Sequence, residues 1–125
     1  MKDSALNYQE GGTHYTEMKM QPLELGYLIH ATPCFVKTSK YITRQKGTHL
    51  VDLKKGLTCI QIEEELTNRG IGLQYFEITI DEDYVNKMID DFTDILTYRM
   101  ILKDMYFGEY QKAKNLLEAL ILEES

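Results

Sequence analysis

Along most of the chain apolar residues recur at intervals of three and four, the spacing that gathers them on one side of an α-helix. Pro22 suits a first helical turn, and Leu23, Tyr27 and Leu28 share a face behind it, so a short helix is expected from Pro22. Thr32-Pro33 is a second start signal, a capping hydroxyl followed by the residue whose missing N–H costs nothing at the first position. That helix is expected to run to Arg44, with Gly47 ending it. Thr48 can cap a third and longer helix in which Leu50, Leu53, Leu57, Ile60 and Leu66 recur, and Gly70 supplies a left-handed stop. Residues 71–80 change character: Leu73, Tyr75, Phe76, Ile78, Thr79 and Ile80 are mostly β-branched or aromatic and partly alternate. They fit either a strand pairing with a second copy of the chain or an extended linker. Thr79-x-x-Glu82 then resembles a capping box. Tyr84, Met88, Phe92, Ile95 and Tyr98/Arg99 predict one long amphipathic helix to about Gly108, and Tyr110, Ala113, Leu117 and Leu120 a final one.

The expected fold is therefore mainly α, a small domain of about four to five helices with at most one short strand or hairpin near 73–80. Residues 1–125 read as a single domain: an extended arm over 1–21, marked by Gly11-Gly12 and lacking an apolar period, a helical core over 22–70, and a C-terminal helical extension over 71–125. No internal repeat or low-complexity segment interrupts it. The unpaired segment 73–80 and the long apolar helices around Phe92 and Leu117 predict a homo-oligomer, a dimer or higher.

Charge changes this picture. Twenty acids against 14 bases give −6 overall, so bulk charge excludes adhesion to nucleic acid or an anionic membrane. Residues 37–55, however, carry Lys37, Lys40, Arg44, Lys46, Lys54 and Lys55 against Asp52 alone, a local net of +5. Residues 63–125 carry 15 acids and six bases, a net of −9. No window approaches the roughly 18 consecutive apolar residues of a membrane span, and no signal-peptide core follows Met1, so no membrane partner is expected and a cytoplasmic location is. Cys34 and Cys59, without any Cys-x-x-Cys, read as reduced thiols.

Lys37, Lys40 and Arg44 stand at i, i+3 and i+7, one cationic stripe on a helix, with Tyr41 beside it and Lys46 just beyond. Such a stripe suits a phosphate, through arginine's fork and lysine's point charge, or it is a solvated face that offsets acids elsewhere. Gly11-Gly12-Thr13-His14-Tyr15 offers amides, a hydroxyl, an imidazole and an aromatic plane, enough to close over a nucleotide; the alternative is a turn with an exposed histidine. No Walker motif occurs. His30 and Cys34 are four apart, but the Thr32-Pro33 break and the want of a second ligand pair argue against zinc, and no metal site is assigned. Glu63-Glu64-Glu65 and Asp90, Asp91 and Asp94 are similar to the magnesium-holding acidic helices of all-helical pyrophosphohydrolases. Their spacing is not the usual one, and acid runs on solvated faces are common.

The order of the motifs adds more. Gly12-Thr13-His14-Tyr15, Met20-Gln21-Pro22-Leu23-Glu24, Lys40-Tyr41-Ile42-Thr43-Arg44, Lys46-Gly47 and Asp52-Leu53-Lys54-Lys55 together resemble the SaV-like family of small bacteriophage proteins, over residues 11–62. The resemblance implies a phage protein of the infected host cytoplasm. Within that family one member is a nucleoside monophosphate kinase without a Walker motif, and another determines sensitivity to a host abortive-infection system by associating with the host protein. Carried over by position, the shared polar residues fall on His14, Tyr15, Gln21, Glu24, Lys40, Tyr41, Arg44, Asp52 and Lys55. This chain departs from the pattern at Val36-Lys37, where the family has Gly-Asn, and after Lys55, where Gly56, Thr58 and Cys59 replace alanine and an aromatic pair. Those departures favour the interaction reading, with a host abortive-infection protein as partner. The enzyme reading is a nucleotide-binding protein or deoxynucleoside monophosphate kinase using magnesium with its nucleotide, with His14, Tyr15, Gln21, Lys37, Lys40, Tyr41, Arg44, Lys46, Asp52 and Lys55 as the candidate site. A third reading is nucleic-acid binding by the basic 37–55 island.

Overall fold

The structure, a computed structural model, describes residues 19–44 and 49–125. The fold is mainly α: α1 (Pro22–Ile29), α2 (Pro33–Thr43), α3 (His49–Asn68), a 3-10 turn (Leu73–Phe76), α4 (Glu82–Phe92), α5 (Leu96–Tyr106) and α6 (Tyr110–Glu124). Six α-helices among the described residues exceed the four to five expected, because the long helix predicted from Tyr84 to Gly108 is broken in two. No strand occurs among the described residues, and no helix is long and apolar enough to cross a membrane.

α1 starts at its proline as expected, but it buries a different face. Tyr27 is 83% exposed and Leu23 and Leu28 are also outside, while Leu25, Gly26 and Ile29 face inward. Gly26 sets that face, because a Cβ there would overlap the Val36 side chain of α2, and only a glycine lets the two helices approach so closely. His30 ends α1 in the left-handed region at φ 54°, and the Ala31 N–H donates to the Gly26 carbonyl at 3.0 Å.

The Thr32 cap of α2 forms as predicted, its Oγ1 accepting from the Phe35 N–H at 3.0 Å. The buried side of α2 holds Thr38, Ser39 and Thr43 beside Phe35 and Ile42. Ser39 and Thr43 hydroxyls donate at 2.7 Å to the helix's own carbonyls at Val36 and Ser39, so they enter the core satisfied.

α3 is the central element, packed against α2 on one side and α6 on another. Gly56 permits this: a Cβ there would stand 3.2 Å from Ile42 Cγ2 and 3.6 Å from Leu117 Cδ2. The core runs from Leu25, Ile29, Phe35 and Ile42 through Leu53 and Ile60 to Ile89, Ile101, Leu102, Met105 and Leu117, all essentially without exposure. α1 also meets α4, and α5 and α6 form an antiparallel pair that closes over α2 and α3.

Two start signals resolve differently from the expectation. α4 is capped by Asp81, whose Oδ2 accepts from the Tyr84 N–H at 3.0 Å, and not by Thr79. The break between α4 and α5 falls at Thr93, in extended conformation, whose Oγ1 accepts from the Ile95 N–H at 3.3 Å. Phe92 and Leu117, grounds for expecting an oligomer, are buried within one chain, and the other ground, the strand-like 73–80 segment, contains the 3-10 turn. Gly47 and Thr48 lie outside the described residues.

Candidate functional site

The basic stripe lies on α2 where that helix meets α3. Positions 37, 40, 41 and 44 of α2 and its end have the same three-one-three spacing as positions 52, 55, 56 and 59 of α3, so the two rows run along one seam. Gly56 brings the helices together there, with the Tyr41 Cβ only 3.8 Å from where its own Cβ would be.

Three cations gather on the Tyr41 ring: Lys40 Nζ at 4.9 Å from its centroid, Lys55 Nζ at 5.7 Å and Arg44 Cζ at 5.8 Å. These are cation–π distances, and the ring's negative face holds positive groups that would otherwise repel one another. Behind them sits Asp52, 1% exposed, whose Oδ1 is 3.7 Å from Arg44 Nη1. Its other oxygen, Oδ2, is buried and has no hydrogen-bond partner among the described residues. His49 Nδ1 lies 2.8 Å from the Arg44 carbonyl, so its N–H tautomer ties the start of α3 to the end of α2. Among the described residues no acid stands within ion-pair distance of Lys37, Lys40 or Lys55.

The structure thus brings together Lys40, Tyr41, Arg44, Asp52 and Lys55. Lys37 is exposed one turn earlier and lines a groove of about 510 Å3 with Leu23, Gly26, Tyr27 and Val36. Gln21 is the N-cap of α1, using its backbone carbonyl and not its side chain, and takes no part in the cationic group. His14, Tyr15 and Lys46 lie outside the described residues.

In the two acid runs, Glu64 and Glu65 of α3 and Asp90 and Asp91 of α4 each have a cation partner. Lys114 meets Glu64 at 2.6 Å, Arg69 meets Glu65 at 3.4 Å, Lys87 meets Asp91 at 3.2 Å, and Lys103 meets Asp90 at 2.7 Å. No group of three metal-ligating side chains occurs among the described residues.

Glu63 is the acid that sequence reasoning misplaced. It is buried, with the Thr32 hydroxyl donating to Oε1 and the Tyr110 hydroxyl to Oε2 at 2.8 Å. Burial pushes its carboxyl above the ordinary range, and the two hydroxyl donors offset part of that. Burial, together with the Glu63 charge, raises the Tyr110 phenol. A signal was present: Glu63 continues the inward row Leu53, Gly56 and Ile60 at intervals of three, four and three.

No family model, curated protein or solved structure matches this chain.

Proposed function

We propose that the seam between α2 and α3 binds a phosphorylated ligand of the nucleotide class. The observation that supports this best is the convergence of Lys40, Arg44 and Lys55 on the Tyr41 ring, with neither lysine ion-paired to an acid among the described residues. Two lysines give mobile point charges to phosphate oxygens, and arginine gives a fork. Asp52 pairs with the guanidinium at 3.7 Å and holds Arg44 beside the Tyr41 ring. Tyr41 supplies an aromatic edge for a base or sugar. The resemblance to SaV-like phage proteins supports the same residues, and with them the kinase reading in which magnesium accompanies the nucleotide.

The test is thermal shift and calorimetry against deoxynucleoside mono- and triphosphates, with and without magnesium. Bound ligand at a hundred times its Kd stabilises by about 2.7 kcal/mol. A saturable shift that disappears in Lys40→Ala and Lys55→Ala is expected; a flat screen overturns the reading. An oligonucleotide arm separates a free nucleotide from a nucleic-acid backbone, because only the latter loses affinity steeply with salt.

A second reading follows the interaction member of the same family: a phage protein of the host cytoplasm that meets a host abortive-infection protein. It draws on the exposed Leu23 and Tyr27 beside the groove over Val36. Replacing both with serine would abolish capture of that host protein without changing the fold. Self-association belongs to this reading, through the exposed Ile71, Leu73, Phe76 and Ile78; a monomer in light scattering at micromolar concentration would remove it.

A further inference from the structure

A second cavity lies at the far end of α3, and its chemistry is opposite to that of the basic seam. Asp52 and Glu63 stand eleven positions apart on α3, about 16 Å at 1.5 Å per residue. The Thr32 cap at the start of α2 packs opposite Glu63, and α6 brings Tyr110 to the same carboxylate. The left-handed turn at His30 places its imidazole in the wall, 5.8 Å from the Tyr75 ring. Phe35 and Tyr106, edge to face at 5.8 Å, and Phe76 supply further aromatic surface. The half-open cavity they line measures about 230 Å3.

Two polar groups in that wall have capacity left over. Glu63 accepts one hydroxyl on each oxygen, which leaves a second acceptor position on both. Among the described residues no cation pairs with it: Lys114, on the neighbouring turn of α6, is committed to Glu64 at 2.6 Å. The buried His30 Nε2 has no hydrogen-bond partner among the described residues. The Tyr106 hydroxyl, by contrast, is spent on the Ile29 carbonyl at 2.6 Å, so that ring offers only its apolar surface.

We propose that this cavity takes a small aromatic cation, a single-ring amine or amidine, with its charged nitrogen on Glu63 and its ring among Phe35, Tyr75 and Tyr106. Size sets the scale: a cavity of about 150 Å3 holds benzene, so 230 Å3 admits one ring and a short polar group, and not a nucleotide. Charge sets the sign. A buried carboxylate with no cation paired to it among the described residues and the negative faces of aromatic rings both favour a cation, and both repel an anion. His30 Nε2 gives a second hydrogen-bond position, which a two-nitrogen amidinium uses better than a simple amine. The proposal is independent of the phosphate reading, because it uses none of the residues at the seam.

The experiment is a titration of the whole chain, followed by amide NMR shifts and calorimetry, with benzamidine, benzylamine, benzyl alcohol and benzoate. Benzamidine is expected to bind saturably at about 1 mM or tighter, moving the amide resonances of Thr32 and Tyr75 and not that of Tyr41. Benzyl alcohol is expected to bind at least tenfold more weakly, and benzoate not at all. Glu63→Gln should cost tenfold or more in benzamidine affinity. His30→Asn, which tolerates the left-handed backbone, should cost severalfold. Tyr75→Ala, at the half-buried outer wall, should weaken binding and keep the helical circular dichroism, which covers the case in which the Glu63 variant does not fold. Equal affinity for benzamidine and benzoate, undiminished binding by Glu63→Gln or Tyr75→Ala, shifts gathered away from residues 30–35 and 63, or no saturable binding by either cation would overturn the proposal.

Discussion

Arg99 of α5 donates from Nε to the carbonyl oxygen of Thr93 at 2.6 Å, across the corner where α4 gives way to α5. Its Nη2 reaches the Asp90 carbonyl at 2.9 Å, and the guanidinium stands 3.5 Å from Asp94 and 3.6 Å from Asp90. One side chain thus satisfies carbonyls at the end of α4 that no further helical turn would reach. Hydrogen bonds to a charged donor contribute about 1.5–3 kcal/mol each where partly buried. Arg99→Met is expected to destabilise the chain by about 2–3 kcal/mol, and Arg99→Lys to recover less than half of that, because an ammonium cannot span both carbonyls. Urea midpoints for the three proteins check it.

The contact between Gly26 and Val36 makes a second prediction. Gly26→Ala forces its Cβ against the Val36 side chain and should cost about 1–3 kcal/mol, although alanine is the better helix former. Val36→Ala clears the space. The double variant should therefore cost less than the sum of the two single ones, a coupling that a thermodynamic cycle measures directly.

Glu63 gives a pH dependence whose sign can be worked out. Its carboxyl is raised in the native state, chiefly by burial, so the native state holds the proton more tightly than the unfolded one. The stabilising effect of that proton is complete below the ordinary glutamate value and is lost as pH rises through the raised one. Measured against Glu63→Gln, the wild-type chain should lose relative stability as pH rises above the ordinary glutamate value of about 4, by at most about 1.4 kcal/mol per pH unit, and stop losing it once the raised carboxyl has ionised. A difference that is flat, or that rises with pH, contradicts the assignment.

Burial raises both thiols, that of Cys34, half-buried, and that of Cys59, which also lies in the core side of α3. Thiolate is the reactive form, so iodoacetamide should label the native chain about tenfold or more slowly than a free cysteine peptide at neutral pH. Cys34 should react before Cys59, and both should react at the peptide's rate in urea.

Much of the helical plan was legible. Thr32-Pro33 carries a capping mechanism in its two side chains, and α2 begins where that mechanism requires. Gly70, at φ 75°, follows the end of α3 as its chemistry suggested. The basic seam was half legible: the period on α2 predicted a row of cations, but Lys55 and Asp52 join it only because Gly56 brings α3 close. The misses share a cause. Tyr84, Met88, Phe92, Ile95 and Tyr98 keep a helical period across Thr93, and nothing local announces a guanidinium arriving from α5 to end the helix. On α1 the inward face was set by the absence of a side chain at Gly26, which a search for apolar side chains does not see. Segment 71–80 has strand-like composition, but its propensity gave way to a 3-10 turn packed beside His30.

The cover that α6 lays on α3 has a consequence for synthesis. Lys114 meets Glu64 across fifty residues of chain, and Leu117 and Tyr110 reach back similarly to Gly56 and Glu63. At about 5–20 residues per second, roughly 3–10 s pass between the emergence of α3 and that of the helix that covers it. For that interval the nascent chain presents Leu53 and Ile60 incompletely shielded, and the closing of the core waits on translation rather than on diffusion.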